Sequence, residues 1–402
     1  MRAKPMVATC LLCLLFVLSG VVLVQADSEA YVIQSRQASS PSPLVSESAV
    51  PVSDFLEDDV RESVTADAAL CRFGFGLALQ SLDCYDPNEL AKLRADIYMN
   101  WGASSNPPTP NAMEYVQTVR VKQWKWKDGQ LVYADYAAPY AVPYTYTLSL
   151  RGSRLADVAV AKPGSLWLIG NEIERRDWQA SGGGTLSQDE ILPEVYARAY
   201  HEAYTTIKAV DPTARVAIGG LIQATPLRLK YLDRVWNEYI RLYGHSIPVD
   251  WWNIHAFILQ EKRNDWGADI PAGLAETEGV LYTPDDNKDW TKAVPLIHAF
   301  RQWMKAHGEQ QKPLIVSEYG VNMPWFTAED VRDDFMIPSF EFFLNTRDPS
   351  LGYAPDDYRL VQKWMWYSLD DDADAYNGAL FYSGLNGIDT GLTTLGTYWT
   401  NY

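Results

Sequence analysis

Two glutamates set far apart in the chain carry the strongest chemical signal. Glu172 follows the run LWLIGN at 166–171, in which four apolar residues and a glycine give way to an amide and then to charge. Glu318 closes a second apolar run, PLIVSEYG at 313–320. Runs of this kind suit strands covered on both faces, as in a parallel sheet. A carboxylate at the end of such a strand is costly to desolvate unless something uses it. Paired carboxylates suit the cleavage of a glycosidic bond. One stays protonated near neutral pH and donates to the leaving oxygen, while the other is ionised and attacks or supports the anomeric carbon. At about 5 Å apart such a pair acts with retention, and at roughly 6.5–9.5 Å with inversion.

The elements that must hold the pair alternate along the chain. Strands are expected at FGFGLAL (73–79), LRADIYMN (93–100), EYVQTVRV (114–121), LWLIGN (166–171), ARVAIGG (214–220), DWWNIHAF (250–257), PLIVSEYG (313–320) and KWMWYSL (363–369). Between them lie helical patterns. In 189–212 the residues Leu192, Val195, Tyr196, Ala199, Tyr200, Ala203, Tyr204 and Ile207 share one face, and Asp211-Pro212 stops the run. The segment 231–244 repeats the pattern and ends at Gly244, 289–308 ends at Gly308, and 327–344 opens with Thr327 and Asp330 in capping-box spacing. A last short helix in 392–402 is expected to close the chain against the first strand. Eight strands separated by helices fit a closed (β/α)8 TIM barrel over 71–402. Strand-terminal residues then face one mouth, and strands four and seven lie across the ring from each other. The stretch 102–162 is longer than one βα unit needs and holds a hairpin with Asp128-Gly129 at its turn.

With Asn171-Glu172 after the fourth strand and Glu318 at the end of the seventh, the region from Phe73 onward resembles the retaining glycoside hydrolases of clan A. The IYMNWG stretch after strand two is similar to the NWG of β-1,3-glucanase-like members. The resemblance implies that Glu172 is the acid/base, Glu318 the nucleophile and Asn171 the amide that holds the sugar 2-hydroxyl. It offers Asn100, Trp101, His255, Tyr319 and Trp366 as further substrate-binding residues. The pattern departs from relatives at Ile173-Glu174, where many have proline. It departs again at Phe257, where several have a tyrosine that steers the nucleophile, and Arg94 is at the wrong end of its strand to serve as their strand-two arginine. Plainer readings stand beside these. Glu172 and Asn171 suit a helix start and its cap, Glu318 a buried ion pair and His255 a satisfied core histidine. Trp364 and Trp366, on one face of strand eight, suit barrel packing as well as a sugar floor. Trp124 and Trp126 are further stacking candidates.

Composition narrows the partners. A formal charge of -17 argues against a nucleic-acid backbone. Fifteen Trp and twenty-four Tyr supply flat rings of the kind that handle sugars, as well as core packing. Residues 1–26 read as a signal peptide or, with the apolar stretch 6–24, an uncleaved anchor, which makes the protein secreted or tethered to a membrane. Residues 27–70 are rich in Ser, Pro and acid and are expected to be a disordered linker. Cys71 and Cys84 are expected to form a disulfide contributing about 3 kcal/mol. No metal and no organic cofactor is expected: the HEAYT run at His201 lacks a second histidine, and no P-loop or G-x-S-x-G elbow occurs. SGGGT at 181–185 is expected to be a loop near Glu172. The expectation is a monomeric O-glycosyl hydrolase acting on a neutral polysaccharide or oligosaccharide. The alternative is an inactive carbohydrate-binding barrel at the cell surface.

Overall fold

The computed structural model describes residues 72–402 except 134, 142–144, 177–187, 373–376, 386 and 388–389, all within the compact unit Leu56–Tyr402. The leader, the linker, Cys71 and the SGGGT loop lie outside the described residues.

In chain order the strands are β1 Phe73–Gly76, β2 Ile97–Met99, β3 Glu114–Tyr115, β4 Gln117–Val119, β5 Val121–Gln123, β6 Lys125–Lys127, β7 Gln130–Val132, β8 Tyr146–Leu148, β9 Leu166–Asn171, β10 Arg215–Gly220, β11 Trp252–His255, β12 Leu314–Tyr319 and β13 Lys363–Trp366. The α-helices are α1 Pro87–Ala91, α2 Ser153–Ala161, α3 Pro193–Val210, α4 Pro226–Tyr243, α5 Ala293–Ala306, α6 Ala328–Val331, α7 Ile337–Asn345 and α8 Thr394–Asn401. One sheet runs β11-β12-β13-β1-β2-β3 and another β10-β9-β4, with every pairing in both parallel. β3 and β4 are one stave interrupted at Val116, and parallel bridges Ala217–Trp251 and Leu221–Ile254 join β10 to β11. The two sheets therefore form one ring of eight staves. Each of the eight apolar runs supplies one stave.

Side chains alternate across each stave. Ile97, Met99, Val116, Leu166, Leu168, Ala217, Ile315 and Met365 fill the barrel. Their neighbours, among them Trp167, Ile169, Val216, Ile218 and Trp252, pack outward under the helices. Full burial of a side chain of this size contributes about 1.5–3 kcal/mol. α3 buries Val195, Tyr196, Ala199, Tyr200, Ala203 and Ile207, the face that its spacing foretold. α4 stops at Gly244, whose φ of 76° supplies the left-handed cap, and Thr327 and Asp330 form a reciprocal capping box at the start of α6. α8 seals the base of the ring, with Trp399 Nε1 donating to the Leu93 carbonyl at 2.9 Å and its ring 6.0 Å from that of Phe73.

The insertion after the third stave folds as two antiparallel pairs, β5 with β8 and β6 with β7. Asp128 and Gly129 take φ of 48° and 76° at the hairpin turn, the geometry that a two-residue type I′ loop demands. Between β1 and β2, Cys84 is exposed with Sγ 3.8 Å from Gln80 Oε1; no cysteine pair is seen among the described residues, and Cys71, the partner expected for it, lies outside them. Among the described residues no helix is long and apolar enough to cross a membrane.

Candidate active site

The C-terminal ends of the staves surround a cleft of about 420 Å³ whose lining includes Glu172 and Glu318. Three local irregularities of the backbone aim side chains into it. On β12, Val316 pairs with Ile254 and Trp364, yet Glu318 pairs with His255 and Tyr319 with Trp366. The stave thus carries one extra residue, a bulge that turns Glu318 inward while Val316 and Tyr319 both pack outward. Glu172 has φ of 48° and Trp101 φ of 55°, left-handed conformations that cost a non-glycine residue about 1–3 kcal/mol. Glycines make the room that these side chains occupy. A Cβ on Gly220 would lie 2.4 Å from His255 Nε2, and one on Gly76 would lie 2.8 Å from the Trp101 ring.

His255 sits beneath the cleft floor, 1% exposed, between the two glutamates. Its Nδ1 is 3.3 Å from Glu172 Oε1, and its Nε2 comes within 3.5 Å of Glu318 Oε1 without hydrogen-bond geometry. Ligand atoms of Glu172, His255 and Glu318 all lie within 4.8 Å of one another. Arg175 Nη1 meets Glu172 Oε2 at 2.9 Å, and Trp101 Nε1 donates to Glu318 Oε1 at 2.5 Å. N–H groups are thus directed at both carboxylates, and each oxygen retains further acceptor capacity. Arg120, beyond β4, also lines the cleft. Its guanidinium is held by the buried Asp189, with Nε at 2.8 Å and Nη2 at 2.7 Å from Oδ1. The other Asp189 oxygen accepts from the Val121 and Asn171 amides at 2.8 and 3.0 Å.

These surroundings split the proton affinities of the pair. Burial pushes Glu318 up to about 7, and the Glu172 charge adds to this, while His255, Trp101 and Arg120 offset part of it. Burial also raises Glu172, but the Arg175 charge and the hydrogen bond from His255 outweigh it and hold this carboxyl down at about 2. Burial lowers His255, and the charges of Glu318, Glu172 and Glu174 more than reverse that, so the imidazole is raised. The two carboxyls thus differ in proton affinity, and the tighter-binding one is Glu318. The resemblance gave the proton to Glu172. The reversal comes from Arg175, three residues further along the same turn.

Of the residues singled out in the sequence, Glu172, Glu318, Asn171 and Trp101 line one cleft, and His255 bridges the two acids from below. Three others do not join them. Tyr319 is fully buried outside the barrel, its ring 5.2 Å from those of Phe343 and Trp366. Trp366 lies in the same outer layer with Nε1 donating to the Gly378 carbonyl at 2.6 Å. Both are one residue from the inward face: Glu318 turns in at the bulge, and Tyr367, following Trp366, lines the cleft. Asn100 is exposed and its Oδ1 holds its own loop, accepting from Tyr115 Oη at 2.5 Å and the Gly102 amide at 3.2 Å. Trp124 stacks on Tyr133 at 3.8 Å. Phe257 lines the cleft edge-on to His255, and the phenol in the cleft comes instead from Tyr367, which donates to Asp371 Oδ2 at 2.7 Å. Arg120, Arg175, Tyr367 and Asp371 were missed. The strand-end rule that found the glutamates would have found Arg120 and Tyr367, and Arg175 stands three residues after Glu172 on a turn.

No protein-family model matches the chain, and no curated protein matches it. Solved structures to which it is similar include a GH128 (subgroup II) endo-β-1,3-glucanase from Sorangium cellulosum, with 13% identity, 82% of this chain and 98% of that chain covered and a TM-score of 0.48. Another is a GH128 (subgroup I) endo-β-1,3-glucanase from Amycolatopsis mediterranei in complex with laminarihexaose, with 13% identity, coverage of 82% and 98% and a TM-score of 0.47. A third is a GH128 (subgroup VII) oligosaccharide-binding protein from Trichoderma gamsii, with 11% identity, coverage of 81% and 92% and a TM-score of 0.42.

Proposed function

We propose that the protein is a retaining O-glycosyl hydrolase, exported or tethered by its N-terminus, that cleaves a neutral polysaccharide or its oligosaccharides. The observation that carries this reading is the approach of two buried carboxylates from opposite staves, with oxygens within 4.8 Å of one another at the floor of one cleft. A gap of about 5 Å suits direct attack by one carboxylate, whereas inversion needs roughly 6.5–9.5 Å to admit a water between acid and base. In the proposed order Glu172 protonates the leaving oxygen and Glu318 attacks the anomeric carbon. Water activated by Glu172 then releases the glycosyl-enzyme. Trp101 holds Glu318 through its indole N–H, and Asn171, beside the acid, is placed to take the sugar 2-hydroxyl.

The rival is a barrel that binds sugar without turning it over. Assay of wild type and Glu318→Ala on a panel of aryl glycosides and glucans, β-1,3-glucan included, separates the two. The hydrolase reading expects turnover by wild type, loss of turnover in the variant and a 2-deoxy-2-fluoroglycoside label on Glu318. Sugar binding by wild type without turnover would establish the binder, and a label on Glu172 would exchange the two roles.

A further inference from the structure

The surroundings of Glu172 run against the proton donation asked of it. Both of its oxygens face nitrogen: Oε2 takes the Arg175 Nη1–H at 2.9 Å, and Oε1 faces His255 Nδ1 at 3.3 Å. A guanidinium donates and never accepts, so a proton on Oε2 would have to compete with an N–H for the same side of the carboxyl. Glu318 meets an indole N–H and the far edge of the same imidazole.

The turn that carries Arg175 is anchored beside it. Arg175 N donates to the Glu172 carbonyl at 3.0 Å. Arg176 is tied to Glu190 at 3.2 Å and lies over the Tyr136 ring at 4.0 Å, which docks the turn on the insertion. The Arg175 side chain itself is 22% exposed and lines the cleft, in space that a sugar beside Glu172 would need.

We propose that Arg175 decides which glutamate carries the shared proton: it holds Glu172 as the anion, and it must leave that carboxylate before Glu172 can protonate a leaving oxygen. The inference rests on the hydrolase reading with Glu172 as the acid. When the guanidinium withdraws, Glu172 gains proton affinity and Glu318 loses it, so a single proton passes from Glu318 to Glu172 and Glu318 is left ionised for attack. The groups that face Glu172 agree with this assignment. Arg175 and His255 favour its anion, as does the more distant Arg120, while Glu318 and Glu174 disfavour it. The lowered proton affinity of Glu172 beside the raised affinity of Glu318 is the resting state that this arrangement implies.

Carbon-detected NMR titration of 13C-glutamate-labelled protein tests it, with the two resonances assigned by comparison with E172Q and E318Q. In wild type the Glu318 carboxyl should titrate near neutrality, and Glu172 should stay ionised well below the ordinary carboxylate range. In Arg175→Gln the Glu172 titration should move up by about one to three pH units, as expected for loss of an adjacent opposite charge, with Glu318 moving down. Arg175→Lys should restore the wild-type order. A wild-type Glu172 that protonates near neutrality, or a Glu172 titration unmoved in Arg175→Gln, would overturn the proposal. The titration needs no turnover, so failure to cleave any glycoside would remove the hydrolase reading and leave the proton assignment decided on its own terms.

Discussion

A carboxyl whose affinity rises from the ordinary 4.5 to about 7 on folding, as that of Glu318 does, binds its proton more tightly in the native chain than in the unfolded one. Between those two values the native state holds more protons, so the stability that Glu318 contributes is complete at low pH and is lost as pH rises through about 7. His255, also raised, adds to the slope in the same direction. Glu172 works oppositely: held down at about 2, it stabilises above its ordinary value and loses that contribution as pH falls. Urea unfolding of wild type and E318Q from pH 4 to 8 should therefore give curves that converge at the acid end. Wild type should lose stability towards pH 8 relative to the variant, and parallel curves would contradict the buried, proton-holding Glu318. Residue-scale chemistry also bears on metals. Because Arg175 and Trp101 already aim N–H groups at the carboxylates, dialysis against a strong chelator should leave the rate of glycoside hydrolysis unchanged, and restoration by a divalent ion would point to a different use of the same cluster.

At the scale of elements, the junction of the third and fourth staves holds the site in register. Asp189 accepts from Arg120, from the Val121 amide and from the Asn171 amide, so one buried carboxylate ties both staves and directs a cation at the cleft. Asp189→Ala removes the buried carboxylate that holds Arg120 and accepts from two backbone amides, and should cost about 3–5 kcal/mol in unfolding free energy. It should also lower kcat in the protein that remains folded, because Asn171 and Glu172 continue the same backbone. Unfolding midpoints together with rates per folded molecule check both halves. The same scale explains what the sequence made legible. Eight apolar runs bounded by polar ends read as staves because a parallel barrel buries both faces of every strand, and the two glutamates read as a pair because strand ends share one mouth. The inward set was harder. Tyr319 and Trp366 are expected in the cleft from their position along the stave, whereas alternation from Trp364 places Trp366 outside, and the extra residue of the bulge sends Tyr319 outside with Val316. Nothing in the local composition announces the bulge at Ser317–Glu318, since it is a mismatch in length between neighbouring staves. Arg175 escaped for a related reason: its role depends on a left-handed turn at Glu172, a conformation that a glutamate does not advertise.

The whole molecule separates what keeps the ring closed from what happens at its mouth. At the base, α8 returns the chain to the first stave, and Trp399, 3% exposed, packs on Phe73 and Phe340 while capping the Leu93 carbonyl. At the mouth, Glu318 sits on the bulged end of β12, between residues whose outward neighbours complete the core without it. In barrels of this kind the base carries stability and the C-terminal face carries chemistry, which makes the two positions a matched pair of tests. Trp399→Ala removes a buried indole and leaves its acceptor unpaired, so unfolding free energy should fall by about 3–5 kcal/mol. Below its unfolding midpoint the variant should retain kcat/KM within a few-fold of wild type, because no atom of Trp399 reaches the cleft lining. E318Q should reverse the pattern, with hydrolysis lost and stability at pH 8 equal to or above that of wild type, since the substitution deletes a buried group that resists ionisation. Chemical denaturation and rates on one aryl glycoside, measured on the same preparations, give both readouts. A large loss of kcat/KM in Trp399→Ala at low denaturant would mean that closure of the base and geometry at the mouth are coupled through the staves, and the separation of stability from chemistry would not hold for this barrel.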